Sequence, residues 1–106
     1  MFYRTLNRKG LEKMDTVQLN GNDLEAVTFA TQNTKILVIR AAHGLLGCGY
    51  ISVETAAKVG DALAVVSGVA NYDDMLNAAV KAVSPAAEAL GVRPGMTGRD
   101  ALLKML

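Results

Sequence analysis

At 106 residues the chain has the length of one domain, able to bury a core of its own but with modest margin. It is 51% hydrophobic with 5% aromatic residues and no Trp, so that core must be built from Ala, Val, Leu, Ile and Met. A net charge of +1 gives no general pull toward nucleic acid or an anionic membrane, one Cys excludes an internal disulfide, and no apolar run reaches the roughly 18–20 residues that span a bilayer. A small domain without disulfides fits a reducing compartment, and MFYRTLNRKGLEKM lacks the apolar stretch of a signal peptide. A cytoplasmic location is the expectation.

Residues 1–13 are polar and mostly basic, with Arg4, Arg8, Lys9 and Lys13 against Glu12. So few charges without a repeat predict a mobile N-terminal extension rather than a nucleic-acid arm. Residues 14–106 are then a single α+β domain. Asp15 to Leu19 alternates as a short strand, Asn20-Gly21-Asn22 is a hairpin turn signal, and Leu24 to Thr31 alternates again.

Lys35 to Ala42 and Leu45 to Val53 read as a second hairpin with His43-Gly44 as its turn. That register sets Ala42 opposite Leu45, Ile39 opposite Cys48 and Leu37 opposite Tyr50. Leu37, Ile39, Leu46, Cys48 and Tyr50 share one face, and Ile36, Val38, Leu45, Ile51 and Val53 the other. Both faces are apolar, the mark of strands covered on both sides. Glu54 to Val59 is a short helix closed by Gly60, and Ala62 to Ser67 is a buried strand, which together imply a parallel crossover.

The remainder reads as helix. Asn71 caps it, Asp73 and Asp74 fill its first turn, and Leu76, Val80 and Val83 form its buried stripe. Ser84-Pro85 restarts it and Gly91 ends it. Thr97 with Asp100 resembles a capping box opening a last helix, Gly98 to Met105.

Candidate chemistry is sparse. Cys48 lies between Gly47 and Gly49, whose amides suit an anion, but a lone Cys is more often a small buried hydrophobe. His43, the single His, is placed in a turn, and it or the acids Asp73 and Asp74 would be the helpers of that thiol. One His and one Cys do not make a tetrahedral metal site within a chain, and no motif asks for a cofactor. Gly44, Gly47 and Gly49 do not spell the dinucleotide fingerprint. GVRPGMTGRD, from Gly91 to Asp100, offers Arg93 and Arg99 to an anion but reads first as a capped turn. Asp73 and Asp74 point about 100° apart on a helix, which favours capping over paired acid–base work.

HGLLGCGYISV followed by SGVANYDDMLNAAVKAVSPAAEALGVRPGMTGRDALLKM resembles the small uncharacterised proteins of the YunC type, a family of unknown function in bacteria and archaea. The matching positions are Gly44, Cys48-Gly49, Gly68-Val69, Asp73 and Asp74, Gly91 through Gly95-Met96, and Ala101-Leu102. The resemblance covers the chain from Lys35 onward. It implies a compact α+β domain and supplies no substrate.

The expected fold is therefore a mixed, mostly antiparallel sheet with helices packed on one face. The expected function is a non-catalytic module that binds a small molecule or a protein partner. Its two-sided apolar hairpin points to a homo-oligomer, with a dimer favoured, and neither membrane nor nucleic acid is an expected partner. The alternative is a small thiol-dependent enzyme acting through Cys48.

Overall fold

Asn20 and Gly21 adopt φ values of 51° and 82°, the left-handed pair that closes a two-residue hairpin without splaying its strands. β1 (Asp15–Leu19) and β2 (Asn22–Ala30) meet across this turn, with Leu19 opposite Asn22. β2 pairs antiparallel with β3 (Lys35–Ala41), and β3 with β4 (Gly44–Gly47). This structure, a computed structural model, describes residues 14–106; the extension expected at residues 1–13 lies outside the described residues.

Gly44 belongs to β4 and not to the turn. The loop is Ala42-His43, and Ala41 pairs with Gly44, Ile39 with Leu46 and Val38 with Gly47. A Cβ at position 44 would run into Met105 and Ala62, so glycine serves close packing here. The observed register is two residues from the sequence expectation. An even shift keeps the faces, and Leu37, Ile39, Leu46 and Cys48 do share the buried side.

The second strand is shorter than expected. After Gly47 the chain turns: Ile51 donates its N–H to the Cys48 carbonyl at 3.0 Å and seats its side chain over Gly47. Tyr50 is consequently 58% exposed and not part of the core face. Ser52 caps α1 (Val53–Val59) by accepting from Thr55 N–H, and Gly60 closes it at φ 85°. β5 (Leu63–Val65) then lies parallel to β4, as the crossover reading requires.

The long helix expected from Asn71 to Leu90 is broken. Asn71 caps α2 (Tyr72–Asn77), but Ala78 is extended. Val80 N–H bonds to Met96 O, Lys81 N–H to Val65 O and Ser84 N–H to Leu63 O. These tertiary partners replace helical ones, and β6 (Ala82–Val83) joins β5 antiparallel. Leu76 and Val80 are buried, but Val80 and Val83 lie beyond α2, so the helical stripe does not exist. Ser84 and Pro85 open α3 (Pro85–Ala89), and Thr97 caps α4 (Gly98–Lys104) by accepting from Asp100 N–H.

The result is a six-stranded mixed sheet whose spatial order follows the chain, β1 to β6. The main core lies on one face. There Leu37, Ile39, Leu46, Ala64 and Val66 meet Met75 and Leu76 of α2 and Ala101 and Leu102 of α4. A smaller cluster lies on the other face, where Ala56 of α1 covers Leu63 and Val65. α1 covers only the β4–β5 half of that face. Val27, Phe29, Ile36 and Val38 alternate onto the remaining half, and Phe29 is 56% exposed. Among the described residues no helix is long and apolar enough to cross a membrane.

Candidate functional site

The decisive geometry is at the carboxyl ends of β4 and β5. These two strands are parallel neighbours, and the chain leaves them in opposite directions. From β4 it goes through loop 48–52 to α1 on the smaller face. From β5 it goes through loop 66–71 to α2 on the main face. Adjacent parallel strands that send their connections to opposite faces open a crevice at their carboxyl ends, the usual ligand position in open α/β sheets.

Side chains and glycines define this crevice. Val66 N–H bonds to Gly47 O at 2.9 Å and ties the two strand ends together. A Cβ at Gly49 would come within 3.7 Å of the Ser67 Cβ, so the two loops touch there with ordinary clearance. Gly68, at φ 72°, turns the second loop. Lys35 starts β3 at the same end and donates from Nζ to Ala70 O at 3.4 Å. A surface depression of about 300 Å³ runs between Thr31–Lys35 and Val69-Ala70.

Cys48 is at the inner end of this crevice and is 5% exposed. Its Sγ accepts the N–H of Leu37 at 3.3 Å. His43 is at the opposite end of β4, exposed, with its N–H on the Met105 carbonyl. The four residues of β4 hold the two apart by about 13 Å of strand. The structure therefore assembles no thiol–imidazole pair.

The remaining sequence candidates are also dispersed. Asn71 Oδ1 accepts the N–H of Asp74, whose carboxylate accepts the N–H of Ala70, so Asp74 caps α2 reciprocally. Asp73 is exposed beside it. Arg93 donates to the Glu88 and Val92 carbonyls at the end of α3, and Arg99 is exposed on α4. Segment 91–100 is committed to packing: Gly95 N–H bonds to Val80 O and Gly98 N–H to Ala78 O. Of the sequence candidates, the crevice gathers Gly47, Cys48 and Gly49. It adds Lys35, Ser67 and Gly68, which had no motif of their own and were findable only by following the parallel crossover to its end.

A second, separate network braces α2. The Tyr72 hydroxyl donates to Asp15 Oδ2 at 2.6 Å and accepts from Thr28 Oγ1 at 2.9 Å. Burial, then the bond to Asp15, raises the Tyr72 pKa above the ordinary 10.0. At the other end of the sheet, Arg40, His43 and Asp61 border an open depression of about 420 Å³, with Arg40 paired to Glu25 on the neighbouring strand. Among the described residues no group of three or more His, Cys, Asp or Glu side chains is placed to hold a metal ion.

The comparison with known families follows the same geometry. The model of Domain of unknown function (DUF1805) matches residues 47–105, beginning at the glycine that ends β4. The chain belongs to the DUF1805 family. It is 34% identical over 94 residues to Uncharacterized protein YunC of Bacillus subtilis (strain 168), covering 85% of this chain and 93% of that one. The crystal structure of TA1206, a protein of unknown function from Thermoplasma acidophilum, has the same fold. Its TM-score is 0.84 at 33% identity, over 89% of this chain and 92% of that one. The DUF1805 match takes in both crevice loops and both helices they lead to, while β1 to β3 precede it.

Proposed function

We propose that the chain is a non-catalytic, oligomeric binding module of the cytoplasm, and that it holds a small molecule or a segment of a protein partner in the crevice between loops 48–52 and 66–71. The observation that carries this reading is the departure of the chain to opposite faces from the parallel ends of β4 and β5. Gly49 and Gly68 let a ligand approach the backbone, and Ser67, Tyr50 and Lys35 supply polar groups around it. The half-bare outer face around Phe29 supports association with another chain. The competing reading, a thiol-dependent enzyme, draws on the place of Cys48 at the inner end of the crevice. It needs an accessible thiolate and a base, and the buried Sγ and distant imidazole argue against it.

Amide shifts of the isotope-labelled protein, recorded against a library of small acids, amides and nucleosides, test the site. Shifts concentrated at Gly49, Ser67 and Gly68 are the expected result. Shifts confined to Arg40, His43 and Asp61 move the site to the other end of the sheet and defeat the proposal.

A further inference from the structure

β1 is an outer strand of the sheet, and its hairpin fixes which backbone groups face outward. In an antiparallel hairpin closed by a two-residue turn, the residues flanking the turn exchange both hydrogen bonds, and bonded pairs then alternate. Leu19 and Asn22 flank the turn. Asp15, Val17 and Leu19 therefore direct their N–H and C=O toward β2, and Thr16 and Gln18 direct theirs away. Among the described residues no backbone bond outside the ladder uses Thr16 or Gln18, and both are exposed.

Soluble proteins usually blunt such an edge with Lys, Pro or a bulge. β1 carries none of these: Thr16, Val17 and Gln18 are uncharged, and the register with β2 is continuous. The opposite edge is handled differently, since β6 is only Ala82–Val83 and Pro85 follows closely.

We infer that β1 pairs antiparallel with β1 of a second copy about a twofold axis at Val17. The strand is matched to itself. Centred on Val17, the pairing sets Thr16 opposite Gln18 of the second copy, so the groups left free by β2 meet in two hydrogen-bonded pairs. Asp15 falls opposite Leu19, and no like charges face each other. This register keeps Val17 and Leu19 on the core side of both copies. A slip of one residue puts them opposite outward side chains, and a slip of two shortens the pairing. The inference rests on the oligomeric part of the proposed function and locates the contact at the sheet edge rather than at the sheet face. It also joins the two half-bare outer faces into one surface.

Sedimentation velocity of the full chain tests it. The wild type is expected at about twice 11.2 kDa. Thr16→Lys with Gln18→Lys puts ammonium groups opposite each other in both pairs and should weaken dimerisation about 10- to 100-fold. Within one chain these lysines face Glu25 and Asp23, so circular dichroism and thermal melting should show the fold intact. Thr16→Lys with Gln18→Glu sets opposite charges across the axis and should restore the dimer. A wild-type dimer untouched by the lysine pair overturns the edge inference but leaves an oligomer standing, and failure of the charge swap to restore the dimer also overturns it. A monomer at every concentration overturns both this inference and the oligomeric reading.

Discussion

Leu37 donates its N–H to the Sγ of Cys48 at 3.3 Å, and Cys48 returns its own N–H to the Leu37 carbonyl at 3.1 Å. The thiol stands in for the Cys48 carbonyl, which has rotated away to accept from Ile51. A side chain thus completes the last rung of the β3–β4 ladder at the point where the backbone leaves it.

Cys48→Ala should therefore cost more than the loss of one small buried atom. It leaves the Leu37 N–H buried without a partner, and the expected destabilisation is about 1–3 kcal/mol in urea unfolding. Cys48→Ser retains an acceptor near Leu37 N–H but buries a hydroxyl proton. It should fall between wild type and alanine; a serine variant less stable than alanine would contradict the ladder role. Native Cys48 should alkylate far more slowly than a free thiol and react at the free rate in urea.

Ser84 is fully buried and its side chain makes three hydrogen bonds. Its hydroxyl donates to Asp61 O at 2.7 Å and accepts from Leu63 N–H at 2.9 Å and Ala87 N–H at 3.4 Å. Ser84→Ala removes the α3 cap and orphans Leu63 N–H, so unfolding should show a loss of about 2–3 kcal/mol. A loss below about 0.5 kcal/mol would mean that water or a backbone shift replaces the hydroxyl.

Gly98 and Gly49 make a contrasting pair. A Cβ at Gly98 would collide with the Met75 carbonyl at the α2–α4 contact, whereas one at Gly49 meets Ser67 at 3.7 Å. Gly98→Ala should lose about 3 kcal/mol or more, or fail to fold. Gly49→Ala should unfold within about 1 kcal/mol of wild type, with any loss appearing in ligand binding. Equal effects at the two positions would refute this assignment.

The folded chain holds the Tyr72 proton more tightly than the unfolded chain does, because burial and the bond to Asp15 both disfavour the phenolate. The stabilisation is fully present below the unfolded value of 10.0 and is lost as pH rises through the higher folded value. Denaturant midpoints should accordingly fall as pH rises above about 10. Tyr72→Phe should flatten that part of the profile, and an unchanged slope in the variant would assign it to other groups.

Much of the fold was legible because local signals agreed. Asn20-Gly21, the alternation around Val17 and Leu24, the Gly60 cap and the run Ala62 to Ser67 each pointed to the element found. The errors have a common source in residues with two meanings. Gly44 reads as a turn residue but serves close packing under Met105, and Val80 and Val83 sit at helical spacing, yet Val80 bonds to Met96 and Gly95 and Val83 pairs with Ala64 of β5. Cys48 was visible as a buried thiol, while its bond to Leu37 depended on where β4 ends. Ser67 and Lys35 carry no motif and are brought to the same end of the sheet as Cys48 by topology alone.

The spatial order of the strands repeats their order in sequence, and this bears on how the chain folds and opens. β1 to β4 can zip as successive hairpins with short loop closures, which favours early formation of that half. β5 must wait for α1 to span the crossover, and β6 for β5. Native-state hydrogen exchange should accordingly resolve at least two cooperative units. Leu37, Ile39 and Leu46 amides should be slowest, and β6 with α3 should open before the meander. The seam between those units is the β4–β5 rung where Val66 meets Gly47, so a ligand held in the proposed crevice would also clamp the boundary between an early and a late part of the same sheet.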